Sequence, residues 1–203
     1  MANGFLPFLR RAALALPCLL AVSATGPLEA VFQVVDARGM PLQGAVVEVE
    51  RPATGPITFP WRNAMAQRDQ TFVPGTLIVP VGATVAFPNL DAVRHSIYSF
   101  SRPAKFKIDL YGRDQTRTQR FALTGTVALG CNIHDQMRGY IRVVNTPFAR
   151  QTDVNGFGRI PGLPAGAYKV RVWHPRLRAP ENELLLPATV SGGGVVRLVV
   201  QTR

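Results

Sequence analysis

Long apolar runs are scarce in this sequence of 203 residues, and one of them stands near the amino terminus. The run Ala12–Val22 follows Arg10 and Arg11, and it is shorter than the roughly 20 apolar residues that a membrane-spanning helix needs. Together with a small-residue cleavage site after Ala24 or Ala30, this pattern is typical of a secretory signal peptide. We therefore predict a signal peptide over residues 1–30, a periplasmic location and no stable membrane insertion after cleavage. An uncleaved membrane anchor is the alternative.

Cysteine is almost absent, because Cys18 and Cys131 are the only two. Cys18 lies in the predicted signal peptide, so the mature chain keeps Cys131 alone and cannot form an internal disulfide. A free thiol is a liability in an oxidising compartment, which predicts that something occupies Cys131. The alternative is an inert, buried cysteine that packs as a small hydrophobic residue.

Acidic residues are also few, with 12 Asp and Glu against 23 Lys and Arg and a net charge of +11. Cleavage after Ala24 removes Arg10 and Arg11 and lowers that charge from +11 to +9. No nucleic-acid-binding motif and no interleaving of basic and aromatic residues accompanies the charge, so we do not expect nucleic acid as a partner. The basic surface either is simply solvated or steers the protein toward an acidic redox partner or an anionic membrane face.

The stretch Gly130–Met137, which reads GCNIHDQM, places a thiolate, an imidazole and a thioether three residues apart at Cys131, His134 and Met137. Thiolate and thioether suit Cu(I), imidazole also suits Cu(II), and two His with one Cys and a weak axial Met form an electron-transfer copper site. The second imidazole is assigned to His95, where an apolar strand runs into a turn. Structural zinc is the weaker alternative, because such sites usually draw on paired Cys or His and have no use for Met.

This pair of motifs resembles the cupredoxins, the blue-copper β-sandwich proteins. The resemblance implies one type 1 copper ion held by His95, Cys131, His134 and Met137, with the last three on one short loop of the amicyanin-like kind. The loop departs from the family in lacking prolines around its His, and Ser96 follows the first His where the family often has Asn. With the later Trp-His-Pro motif that contains His174, the chain looks most like the secreted cupredoxin-like proteins labelled methylamine-utilisation proteins.

Short strands separated by turn residues fill the segment 66–144, and helical periodicity is almost missing there, which predicts an all-β, cupredoxin-like Greek-key sandwich. The expected strands are Thr76–Val81, Ala83–Phe87, Ser96–Phe100, Phe106–Tyr111, Thr118–Leu123, Gly125–Leu129 and Tyr140–Val144. Their alternation predicts that Tyr98, Phe100 and Phe106 fill the core. Asn89 and Asp91 are expected either to hold the turn before His95 to the cysteine loop or to be ordinary turn residues.

The segments on either side of the copper domain resemble one transthyretin-like, or carboxypeptidase-regulatory-like, module. Residues 31–50 have the alternation of a β-hairpin with a turn over Asp36–Pro41, and residues 51–65 are typical of a connector. Residues 145–203 carry the motifs of the later strands, so we predict a second, smaller β-sandwich, split by the insertion of 66–144. The alternative is that 31–65 extends the copper sandwich. His174 is expected to stabilise a strand end or a domain interface.

The functional prediction is a periplasmic one-electron carrier that works with redox partner proteins and is not an enzyme. The alternative is a copper-binding or delivery protein without an electron-transfer role. An enzyme would need an open copper position, which the four-ligand set does not leave unless Met137 is unbound. The oligomeric state does not follow from the sequence.

Overall fold

The structure is a computed structural model that describes Met1 and residues 29–203. The predicted signal peptide and Cys18 lie outside the described residues, except for positions 1, 29 and 30. Regular structure in the described part is almost entirely β, with one short 3₁₀ helix at Pro180–Asn182. The strands, in chain order, are β1 Glu29–Asp36, β2 Val46–Val49, β3 Ala66–Arg68, β4 Thr71–Val73, β5 Thr76–Pro80, β6 Thr84–Pro88, β7 His95–Ser99, β8 Phe106–Tyr111, β9 Thr116–Arg120, β10 Gly125–Cys131, β11 His134–Val144, β12 Ala149–Gln151, β13 Phe157–Pro161, β14 Gly166–Trp173, β15 Glu183–Val190 and β16 Val195–Val200.

The central part of the chain builds a five-stranded sheet in the order β5-β11-β10-β7-β8, with the short pairs β3-β4 and β6-β9 beside it. Apolar side chains of these strands share one core because alternate positions of each strand face inward. That core runs from Met65 to Val143 and includes Cys131 and Met137. The metal-ligand candidates therefore belong to the same packed body as the central sheet.

The two ends of the chain build the other two sheets, in the orders β13-β1-β16 and β12-β2-β14-β15. Their buried side chains, among them Phe32, Val47, Ile160, Val172 and Leu198, form a separate core. No family resemblance follows from this arrangement, and the transthyretin-like assignment with its domain boundaries stays a prediction.

The predicted hairpin over residues 31–50 is wrong. β1 pairs antiparallel with β13 and parallel with β16, whereas β2 pairs with β12 and β14 in the other sheet. The chain turns near Gly39, whose positive φ of 83° suits glycine, but it then crosses between layers. β2 buries all four of its side chains and β1 buries five of its eight, and each strand is paired along both of its edges.

The predicted strands of the central segment are all present, with ends that differ by a few residues. Phe106–Tyr111 matches as predicted, β9 lies at Thr116–Arg120 instead of Thr118–Leu123, and β11 begins six residues earlier than expected, at His134. The aromatic prediction is wrong for Phe100, which is 80% exposed because β7 ends at Ser99 and the alternation stops there. Tyr98 is half-buried, and Phe106 packs against the core from its edge.

Residues 29 and 30 of the predicted signal peptide belong to β1 and pair with Pro161 and Ile160. Cleavage after Ala30 would remove that end of the strand, whereas cleavage after Ala24 would leave it whole. Among the described residues, no helix is long and apolar enough to cross a membrane.

Candidate metal centre

Three polar side chains meet at one end of the central sheet, and each is fixed by the end of a strand. His95 begins β7, Cys131 ends β10 and His134 begins β11. β10 and β11 form a hairpin in which Cys131 and His134 are paired residues, and the register shifts between Gly130 and Cys131. The irregularity lies where the strand meets its turn, a common place for a bulge to re-aim a side chain. The hairpin thus sets the thiol and one imidazole beside the imidazole of β7.

The distances between the three side chains are those of a metal site. Nδ1 of His95 lies 3.2 Å from Nδ1 of His134, and Sγ of Cys131 lies 3.8 Å and 3.9 Å from these two nitrogens. The circle through the three atoms has a radius of about 2.1 Å, close to the metal–nitrogen and metal–sulfur bond lengths of about 2.0–2.3 Å known for zinc. A transition-metal ion therefore fits between them in a trigonal arrangement.

The contact made by Nε2 of His95 fixes which tautomer of its ring is present. Nε2 of His95 lies 2.7 Å from the carboxylate of Asp91, and the His95 side chain is fully buried. The carboxylate accepts a hydrogen bond, so this contact places the hydrogen of a neutral His95 on Nε2 and leaves the lone pair of Nδ1 directed at Cys131 and His134. Asp91 thereby prepares His95 as a ligand before any metal arrives.

Asp91 is held ionised by several hydrogen bonds. Burial opposes its ionisation, but bonds from the backbone N–H of Gln70, the ring of His95 and the N–H of Asp69 lower the pKa of Asp91 below its ordinary value. Its backbone N–H in turn donates to Oδ1 of Asn89. A carboxylate with this many donors keeps one orientation, which fixes the ring that it contacts.

Asn89 and Asp91 were expected to tie the turn before His95 to the cysteine loop, and the contacts differ from that expectation. Asn89 is fully buried, and its Nδ2 donates to the carbonyls of Val93 and Tyr111. Asp91 bonds His95 and the turn at residues 69 and 70. Asn89 therefore orders its own turn and joins it to β8, and Asp91 orients the imidazole.

The direct link to the cysteine loop comes from Ser96. Its Oγ accepts a hydrogen bond from the backbone N–H of Asn132 at 3.1 Å and lies 3.8 Å from Sγ of Cys131. Sequence reasoning noticed Ser96 only as a departure from the cupredoxin pattern. The position of Ser96 directly after His95, on a strand with buried residues on both sides, could have predicted that its hydroxyl lies near the site.

Met137 is 1% exposed and packs in the same core as Cys131, and its role as an axial ligand stays a prediction. His174 is not in the cluster, which within residues 29–203 consists of His95, Cys131 and His134. It follows the end of β14, and its Nδ1 accepts the N–H of Arg176. Burial and the nearby charge of Arg176 lower the pKa of His174 to about 4, so its ring is neutral at pH 7.

Gly130 allows a close approach beside the candidate site. A Cβ atom at this position would lie 2.6 Å from the ring of Tyr98, nearer than atoms can come. Glycine at this position therefore leaves room for the ring of Tyr98, which pairs with it from β7.

No protein-family model and no curated protein matches this sequence. Among solved structures, a purple cupredoxin from Nitrosopumilus maritimus matches at 22% identity and a TM-score of 0.37, over 40% of this chain and 98% of its own. A reduced amicyanin variant matches at 22% identity and a TM-score of 0.39, over 48% and 98%. A copper-containing nitrite reductase from Thermus scotoductus SA-01 matches at 24% identity and a TM-score of 0.40, over 56% and 28%. These partial likenesses are to cupredoxin structures, and the assignment below rests on the site alone.

Proposed function

We propose that this protein is a periplasmic type 1 copper protein that carries single electrons between redox partners. The observation that supports the proposal is the triangle of Nδ1 of His95, Sγ of Cys131 and Nδ1 of His134, which all lie within 4.8 Å of one another. Two imidazoles, one thiolate and a weakly bound thioether are the ligand set of an electron-transfer copper site. His95, Cys131 and His134 would hold the ion, and Met137 is the proposed fourth ligand. A bound copper ion would supply the one-electron couple between Cu(II) and Cu(I).

The chain contributes a rigid frame for that couple. His95 and Cys131 are buried on paired strands, and Asp91 and Ser96 fix the imidazole and the loop by hydrogen bonds. Side chains that are held this way change position little when charge at the site changes. The reorganisation that accompanies each electron transfer is then small.

His134 is the proposed route for electrons. It is half-buried, in contrast to His95 and Cys131, and it begins β11 directly after the exposed Ile133. An imidazole edge that reaches solvent gives a partner the shortest path to the ligand set.

The proposed partner carries an acidic surface. Lys105, Lys107, Arg113, Arg117 and Arg120 are all exposed. The guanidinium of Arg117 lies 5.2 Å above the ring of Tyr111, a residue that pairs with His95. Arg117 therefore carries positive charge close to the ligands, where it would speed the approach of an acidic protein. Lys107 and Arg120 lie opposite Tyr98 and Thr84, farther from His95. Rates that fall steeply with added salt would support this part of the proposal.

Copper delivery is the second candidate, and the exposure of the ligand loop favours it. Asn132 and Ile133 of the turn and Asp135 and Gln136 at the start of β11 are all exposed, and this segment has no proline to stiffen it. Exchange of the metal would require this loop to open. Rapid loss of Cu(I) to a competing chelator would favour delivery, whereas slow loss with fast electron self-exchange would favour the carrier.

Addition of Cu(II) to the purified mature protein, followed by visible absorption and EPR, tests the copper assignment. We expect an intense thiolate-to-copper band and narrow hyperfine splitting, both lost in Cys131→Ser, because the serine hydroxyl cannot supply the thiolate charge-transfer transition. His174→Gln is the matched control and should keep both signals. A weak spectrum that is unchanged by Cys131→Ser would overturn the ligand assignment.

A further inference from the structure

We propose a second binding site on this protein, for a small carboxylate that carries an aromatic ring, in the groove between β5 and β12. The groove has a volume of about 490 Å³. Ligand sites of small molecules fall between about 300 and 1,000 Å³ and combine apolar walls with a few polar groups. The proposal does not depend on the metal or on electron transfer.

The walls of the groove are apolar and come from both bodies of the molecule. Leu77 and Ile78 belong to β5 of the central sheet, Pro74 precedes that strand, and Trp61 lies on the segment that joins β2 to β3. Nε1 of Trp61 donates to the carbonyl of Ile78 at 2.8 Å, which holds the indole against the strand. Trp61 also stacks on Phe59 with ring centroids 4.8 Å apart and an angle of 5° between the planes. The wall is therefore a fixed aromatic surface.

The charge of the groove is positive and uncompensated. Arg62 and Arg150 line it, no acidic side chain does, and neither arginine has an ion-pair partner within residues 29–203. The guanidinium of Arg150 lies 5.3 Å from the ring of Trp61 and 5.7 Å from that of Phe59. Among the described residues its side chain donates one hydrogen bond, to the carbonyl of Ala149.

A half-buried arginine without a counter-ion is unusual, because burial of charge is costly unless the charge is paired. Burial lowers the pKa of Arg150 below its ordinary value, yet a guanidinium stays charged at neutral pH. The guanidinium has five N–H donors, and one bond to Ala149 leaves most of them free for a ligand. A carboxylate matches two parallel donors of an arginine, and an aromatic ring attached to it would lie against the half-buried Trp61 and the exposed Pro74.

The first experiment compares three probes on the unmodified protein by isothermal titration calorimetry and by tryptophan fluorescence. The probes are 3-phenylpropionate, its neutral amide 3-phenylpropionamide, and propionate, which lacks the ring. We expect 3-phenylpropionate to bind at least tenfold more tightly than either of the others, because only it engages both the arginine and the aromatic wall. Equal binding of the amide, or no binding of 3-phenylpropionate, would overturn the proposal.

The second experiment locates the site with variants. Arg150→Gln should weaken 3-phenylpropionate binding at least tenfold, and Trp61→Leu should reduce the ligand-induced fluorescence change and the affinity together. Arg197→Gln is the matched control, since it removes an exposed arginine of β16 outside the groove, and it should bind normally. Binding that survives Arg150→Gln would overturn the site. If Arg150→Gln fails to fold, Arg62→Gln and the contrast between carboxylate and amide decide the question.

Discussion

The two ends of β11 carry two different polar clusters, one made of metal-ligating side chains and one made of ion pairs. At its start, His134 meets His95 and Cys131, so three side chains that can each donate an electron pair to a metal face one another. Near its other end, the buried Arg142 donates to Glu48 and Glu183 at 2.9 and 2.8 Å and also to Thr126. One cluster brings together the side chains of the proposed metal site, and the other pairs its own charges.

This contrast separates a binding site from a structural connection. Arg142 belongs to the central sheet, whereas Glu48 and Glu183 lie in the sheet formed by the chain ends, so the ion pairs join the two bodies. Arg171 extends the network to Glu50 and to the other oxygen of Glu183. A buried network in which every charge is paired holds the two sheets in one relative position, and it has no unpaired charge for a ligand to bind.

Removal of the cation from the paired cluster should have the largest effect. Arg142→Met leaves Glu48 buried without its partner, and we expect the free energy of unfolding to fall by about 3–5 kcal/mol. Urea unfolding followed by circular dichroism measures the loss. The double variant Arg142→Met with Glu48→Gln should recover part of it. A loss below about 1 kcal/mol would mean that the network contributes no more than a surface ion pair.

Acid should destabilise the body formed by the chain ends through His174. Its pKa of about 4 in the folded protein lies below the ordinary value of 6.5, so the unfolded chain binds more protons between these values. Stability from this group is full above pH 6.5 and is lost as the pH falls toward 4, by at most about 3 kcal/mol. Unfolding free energies at pH 7 and pH 4.5 measure the loss. His174→Gln should show a flatter pH dependence, and an unchanged one would contradict this cause.

Loss of the hydrogen bond that orients His95 should weaken copper binding, although every proposed ligand remains. Asp91→Asn removes the charge that orients His95, and we expect copper affinity to fall about 10- to 100-fold. The EPR hyperfine splitting should change as well, which a loss of stability alone would not cause. Asp114→Asn, at an exposed turn residue, is the control. Unchanged affinity and spectrum in Asp91→Asn would show that the strand alone positions the imidazole.

The smallest effect is expected from Ser96→Ala. The variant removes the bond to the N–H of Asn132 and should cost about 1 kcal/mol of stability. It should also shift the thiolate-to-copper absorption, because Oγ lies close to Sγ of Cys131. Ser191→Ala, at an exposed turn, should change neither. A Ser96→Ala spectrum that matches the unmodified protein would limit Ser96 to a structural role.

Local spacing was enough to predict much of the candidate site. The spacing of Cys131, His134 and Met137 predicted a ligand cluster on a loop, and the apolar alternation of 66–144 predicted the strands around it. The loop is only the two-residue turn between Cys131 and His134, and Met137 lies on β11. The contacts of Ser96 and Asp91 could not be predicted, because they depend on which loops lie opposite β7 in three dimensions. The partners of β1 were missed for a similar reason. Alternation of apolar and polar residues indicates that a strand has a buried face. The pairing of β1 with β13 and β16 depends on residues far along the chain.

The parallel pairing of β1 with β16 also sets an order of events during synthesis. Val31 lies opposite Val195, so the first described strand has no complete sheet until the last one has emerged. The central sheet needs nothing from β16 and can form while the carboxyl-terminal strands are still being made. A chain that stops early would therefore keep its ligand cluster but leave Phe32 and Val34 beside an open strand edge. An unpaired strand edge is a template for pairing with other chains, so we expect a chain that lacks β16 to aggregate.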